Sequence, residues 1–213
     1  MKSLKPSKSI ILGLALNMLS CSGKQFSVES VKEIDFHNKI ELDCPCQSIS
    51  PNNRYEINTD FFEKTSTSKL TLYDKKEKRA KFVLEYPWIY GACFSWDGKR
   101  VYFHARLLKN DGALQGDILA ATLKGKVTNI TKTQDLDESG FDISKKGYIL
   151  FESDLGLEIM NYKGKKRKAL IKPVPKHTYL VPTWTCDGNF IYASLEEGSN
   201  EQSKYYLAKL DWK

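Results

Sequence analysis

Few side chains in this sequence are placed to do chemistry, and their spacing excludes more reactions than it suggests. The three histidines, His37, His104 and His177, show no metal-ligand spacing among themselves, and each reads as a surface or strand residue. Carboxylates gather at Asp135, Asp137 and Glu138 and again at Glu196 and Glu197. Such pairs serve as general acid and base, or hold calcium, only where a fold makes them converge, and in polar sequence they read as solvated loop. No Gly-x-Ser-x-Gly elbow, Walker A loop or dinucleotide fingerprint is present. No cofactor or metal is expected, and binding is favoured over catalysis.

Cysteine offers one reactive position of a different kind. Lys2, Lys5 and Lys8 precede the apolar run Ile10 to Leu19, which ends at Ser20 and Cys21. A basic region before about ten apolar residues is too short to span a bilayer and reads as a signal peptide. Met18-Leu19-Ser20-Cys21 resembles a bacterial lipobox, which implies cleavage before Cys21 and a lipid on its thiol. The expected organisation is therefore a signal peptide over 1–20, a lipidated tether over 21–25 and one folded domain over 26–213. The localisation this implies is the bacterial cell envelope, at the outer membrane or periplasmic face.

Export makes disulfides permissible for the four remaining cysteines. Cys44 and Cys46 stand too close along an extended chain to bridge comfortably. Cys46 and Cys93 lie at equivalent entries to successive repeats and are a candidate pair. Cys186 falls inside a turn, so a four-cysteine metal site is awkward.

The chain of 213 residues is 41% hydrophobic and 28% charged, enough to bury a core and too polar for several membrane spans. Its formal charge is +7; removal of residues 1–20 takes three lysines and no acids, leaving 30 basic against 26 acidic residues, or +4. In an exported protein this mild basicity gives no reason to expect nucleic acid as a partner.

The elements that must position these groups are set by a repeat. Ile49-Ser-Pro-Asn-Asn-Arg-Tyr55, Phe94-Ser-Trp-Asp-Gly-Lys-Arg-Val-Tyr102, Ile143-Ser-Lys-Lys-Gly-Tyr148 and Trp184-Thr-Cys-Asp-Gly-Asn-Phe190 align through their turns. Each has a large apolar residue, Ser or Thr, and a turn ending in Asn53, Gly98, Gly147 or Gly188, types that tolerate positive φ. The Ser/Thr positions are 50, 95, 144 and 185. Second hairpins follow at Leu70, Asp117, Leu157 and Tyr205. Fourth strands are expected at 81–84, 127–130 and 169–171, but the last repeat lacks one. The segment 25–34 is expected to supply it.

These turns and their following hairpins resemble the TolB-type β-propeller repeat, over about residues 44 to 213. The resemblance implies an all-β fold of about four blades, closed by the N-terminal strand. The alternatives are a half ring completed by a second copy, or a β-sandwich. It implies no single function, because the repeat occurs in binding subunits of the cell envelope and as an accessory domain of peptidases.

A propeller sends alternate connections to opposite faces. One face would carry the lysine-rich turns, with Arg54, Lys75, Lys76, Lys78, Arg79, Lys99, Arg100, Lys124, Lys126, Lys145, Lys146, Lys163, Lys165, Lys166, Arg167 and Lys168. The other would carry the acidic loops beside Phe61, Phe62, Tyr86, Trp88, Tyr90, His177 and Tyr179, the candidate ligand-binding residues. The function expected is recognition of a protein, peptide or glycan by that aromatic face, with an anionic surface a further partner for the basic one. The alternatives are an envelope hydrolase using loop carboxylates and a purely structural lipoprotein.

Overall fold

The computed structural model describes residues 26–34, 47–171, 177–184, 190–197 and 203–212, with side chains over 47–170 and 182–184. The described strands are β1 (Phe26–Ile34), β2 (Tyr55–Phe62), β3 (Thr67–Asp74), β4 (Arg79–Tyr86), β5 (Trp88–Phe94), β6 (Arg100–Leu108), β7 (Leu114–Thr122), β8 (Val127–Asn129), β9 (Glu138–Ile143), β10 (Tyr148–Ser153), β11 (Gly156–Asn161), β12 (Lys168–Ile171), β13 (His177–Trp184), β14 (Phe190–Glu197) and β15 (Ser203–Trp212). They form four antiparallel sheets. The first is β2–β3–β4, with a bridge from Ile49 to Glu56 adding its inner edge; the second is β5 to β8, the third β9 to β12, and the fourth β13–β14–β15–β1.

The recurring serine explains how each blade begins. Ser95 Oγ donates to Asp97 Oδ1 at 2.6 Å and accepts from Arg100 N at 3.1 Å, while Gly98 N closes the turn on Ser95 O at 2.8 Å. Ser50 repeats this with Asn52 Oδ1 and Tyr55 N, and Ser144 Oγ accepts from Tyr148 N. All three serines are buried, so the hydroxyl satisfies backbone groups that water cannot reach. The turns close through Asn53, Gly98 and Gly147 at φ of 57°, 66° and 85°, as their residue types predict.

Strand alternation then sorts side chains between neighbouring blades. From β6, Val101, Phe103 and Ala105 enter a core shared with Ile57, Leu70 and Leu72 of the first blade. Tyr102, one residue out of phase, joins Ile118, Phe141, Ile143, Ile149 and Phe151 between the second and third blades. Trp184 of the fourth blade donates its backbone N–H to buried Asp142 of the third at 2.7 Å. A fully buried side chain of this size contributes roughly 1.5–3 kcal/mol, so each blade is stable only against its neighbours.

The N-terminal strand completes the fourth sheet in the expected place, pairing Phe26 with Trp212 through to Ile34 with Tyr205. Ring closure is a separate matter, and the expectation of a closed propeller is corrected. The blades pack in the order one, two, three, four, and among the described residues no comparable contact returns from the fourth to the first. The outer face of the first blade is mixed: Asn58, Asp60, Thr71 and an ion pair between Lys69 and Glu85 at 2.9 Å stand beside the exposed side chains of Phe62 and Val83.

Candidate functional site

In each blade the connection between the second and third strands and the link to the next blade lie at one rim, opposite the serine turns. At this rim four rings from three strands stack in succession. Phe61, at the end of β2, stands 4.5 Å from Trp88 at the start of β5, with an interplanar angle of 19°. Trp88 continues to Tyr90 at 6.1 Å and 11°, and Tyr90 to His104 of β6 at 5.3 Å and 23°. The Arg106 guanidinium lies 5.9 Å from the centre of the Tyr90 ring. Phe61 and Tyr90 remain 45% and 58% exposed, unusual for rings in a strand, whereas His104 is buried. The row thus runs from solvent into the protein. Its chemistry is stacking on planar or C–H-rich groups, supported by ring electrostatics and a nearby cation.

The row ends beside a buried ion cluster between the second and third blades. Neither ring nitrogen of His104 makes a hydrogen bond of normal geometry among the described residues. Burial lowers its pKa, with Asp137 and the Glu138 carbonyl acting in the opposite direction. Next to it, Gly116 donates its N–H to Asp137 Oδ1 at 2.5 Å. Glu138 is fully buried; the Thr133 hydroxyl lies 2.8 Å from both its oxygens, with one hydrogen to donate, while Arg167 Nη1 donates to Oε1 at 2.9 Å. Arg167 also holds Glu158 through Nε at 3.0 Å and through Nη2. Lys109 Nζ lies 2.5 Å from Asp117 Oδ2 and 2.7 Å from Thr133 O. Burial drives the Glu138 carboxyl up to about 7, with Thr133 and Arg167 restraining the rise. Burial also opposes the Arg167 charge, but hydrogen bonds to Glu158 and Glu138 outweigh it and hold the guanidinium more firmly protonated.

Several expectations change here. Glu138 was expected in solvated loop, yet it opens β9 with no solvent access, because Arg167 and Thr133 replace water. Arg167 leaves the basic turn surface for this cluster, and Lys168 is half-buried, its pKa lowered by burial. Tyr86 packs at 5.6 Å from Phe103 in the core between the first two blades rather than joining the ring row. Phe62 lies on the opposite face of β2 from Phe61, with Lys69 Nζ 5.1 Å from its ring centre. The backbones of His177 and Tyr179 lie on β13 of the fourth blade, opposite Glu197 and Leu195. Cys93 is buried and forms no disulfide among the described residues; its candidate partner Cys46, like Cys21, the tether and the signal segment, lies outside them. Sequence reasoning missed His104 and the ion cluster. One signal pointed to them, the alternation of β6, which sends His104 to the same side as Tyr102.

The chain matches no family model and no curated protein. Solved structures do match it in shape. TolB from Acinetobacter baumannii aligns with a TM-score of 0.56 at 17% identity over 77% of this chain and 41% of its own. An oligogalacturonate lyase from Vibrio parahaemolyticus gives 0.55 at 12% identity, over 77% of this chain and 51% of its own. A putative TolB from Agrobacterium tumefaciens gives 0.54 at 14%, over 77% and 62%. The fold is a partial TolB-like β-propeller. The chain spans about two-fifths to three-fifths of these proteins' lengths, and at such identity the likeness concerns the propeller alone.

Proposed function

We propose that this propeller is a lipid-anchored binding or scaffold protein of the bacterial cell envelope, recognising a protein, peptide or glycan through the rim that bears Phe61, Trp88 and Tyr90. The observation that carries the reading is the half-open stack of rings: three large apolar side chains held in one orientation at a strand-supported rim, two of them well exposed. Pre-oriented aromatic rings provide contact area at little cost in side-chain entropy, which is why they dominate recognition surfaces. The match to TolB structures is compatible with a binding role. The lipid on Cys21 remains an inference from Met18-Leu19-Ser20-Cys21.

The test is affinity capture from the protein's own envelope extract with the wild-type chain and with a Phe61→Ala/Trp88→Ala/Tyr90→Ala variant. The expected outcome is loss of the captured species with the variant, at a melting temperature within a few degrees of wild type. Retention of the same species would remove this rim from the binding function.

A hydrolase reading has one observation in its favour, the raised carboxyl of Glu138 among Asp117, Asp137 and Glu158. Against it stand the full burial of Glu138 and the engagement of both its oxygens. Catalysis at this carboxylate predicts turnover of glycan or peptide substrates that Glu138→Gln abolishes.

A further inference from the structure

The rim opposite the rings is assembled from turns that touch across blades. The Trp96 indole N–H donates to Ile143 O of the next blade at 2.9 Å, and Lys145 Nζ lies 4.5 Å from the Trp96 ring centre. Gly98 backs onto Pro51 and Gly125 onto Phe82, so that a Cβ on either would stand 3.2 Å from its neighbour. Within blades, Lys75 N donates to Arg54 O and Tyr162 N to Gly147 O. Six turns (51–54, 75–79, 96–100, 123–126, 144–147 and 162–166) therefore form one surface. They hold fourteen lysines and arginines against two acids, Glu77 and Asp97. Those acids are already engaged with Arg54, Arg79, Lys81 and Lys99. Lys76, Lys124, Lys126, Lys163, Lys165 and Lys166 are exposed and form no ion pair within the described residues.

A surface built only for solubility intersperses both signs, and this one does not. We propose that the basic rim is a docking surface for an anionic lipid headgroup layer, holding the aromatic rim away from the membrane. These six are lysines, point charges on flexible stems without the planar fork that reads a particular phosphate or carboxylate, spread over three blades, and Arg100 is the one exposed arginine of the turns outside the ion pairs. That pattern suits a diffuse layer of negative charge. Lysines near such a layer each strengthen partitioning by about fivefold, and the attraction fades beyond a Debye length of about 8 Å, so only a surface laid flat engages several at once.

The experiment measures partitioning of the full chain into vesicles of 30% phosphatidylglycerol in phosphatidylcholine, relative to pure phosphatidylcholine, across a range of salt concentration, a composition chosen to give roughly the surface charge of an anionic leaflet. Taking the ratio removes any insertion by the apolar N-terminal run. Lys76→Glu/Lys124→Glu/Lys163→Glu/Lys165→Glu should reduce the ratio at least ~100-fold and flatten its salt dependence. The Asp60→Asn/Glu63→Gln/Asp135→Asn variant, altered at the opposite rim, should not reduce it. Thermal unfolding of both variants at the wild-type temperature shows that surface charge alone was changed. A wild-type ratio near one at low salt overturns the proposal, as does an undiminished ratio in the lysine variant. If the ratio instead rises in the acid variant as steeply per unit of charge as it falls in the lysine variant, the attraction follows net charge and not this surface, which overturns the proposal too.

Discussion

At Glu138 a carboxyl is held without water, and its titration is a measurable consequence. The folded-state pKa of about 7 lies above the ordinary value of 4.5, so the folded chain holds this proton more tightly than the unfolded chain does. The contribution of the group to stability is therefore greatest below about pH 4.5 and is lost as pH rises toward 7. The groups facing it are Thr133 on the interblade link, Arg167 before β12, Glu158 on β11 and Asp117 on β7. Glu138→Gln keeps the partners and removes the titration. Between pH 4.5 and 8 the stability of the variant relative to wild type should rise by roughly 3 kcal/mol, read from urea unfolding at each pH. A constant difference across that range would place the Glu138 pKa near its ordinary value. Asp74 has the opposite sign: its hydrogen bond from Arg54 lowers the carboxyl to about 2, so its contribution is present above about pH 4 and is lost as pH falls toward 2.

At the scale of elements, two joints carry the architecture. Gly116 of β7 sits where the ring row meets the ion cluster, and a Cβ there would overlap the Glu138 carbonyl and the His104 Nε2. One of these is backbone, so relief requires the second and third blades to separate. Gly116→Ala should cost about 1–3 kcal/mol and shift the Tyr90 ring, seen as a lowered melting temperature and changed near-ultraviolet circular dichroism. An unchanged spectrum and stability would show that the joint has room to spare. The second joint is β1 on β15, where the two ends of the chain meet. A form beginning at Asp35 exposes the long edge of β15 and should aggregate or melt well below the parent. If it keeps the parent's solubility and melting temperature, β1 is dispensable.

The described residues form a partial propeller with two unlike rims, one basic and turn-built, the other bearing the row of rings. The charge asymmetry is a property of the arrangement, since the formal charge of the chain is only +7. A tether at Cys21 would sit just before β1, joining the membrane to the fourth blade while leaving the ring row of the first two blades free to bind. Metabolic labelling with a palmitate analogue should mark the wild-type chain and leave Cys21→Ala unmarked; equal labelling of the variant would exclude this residue as the attachment point.

Four serine or threonine turns at nearly regular intervals were sufficient in the sequence to determine the blades, because hairpin chemistry is local, and in the three described turns Asn53, Gly98 and Gly147 stand where the backbone turns left-handed. The absent fourth strand of the last repeat and the alternating segment 25–34 were likewise legible together, since pairing only requires an open edge and a strand to fill it. The aromatic residues were legible as a set but not as a row. Period-two alternation separates Phe61 from Phe62, and only packing between blades decides that Trp88 and Tyr90 align with His104 while Tyr86 is buried on Phe103. The ion cluster was not legible at all. Its members are spread from Lys109 to Arg167 across two blades, and a charge becomes a buried partner rather than a solvated one only when the tertiary structure excludes water around it. Ring closure was also decided in three dimensions, by which blades pack together: among the described residues the packing runs from the first blade to the fourth without a comparable return.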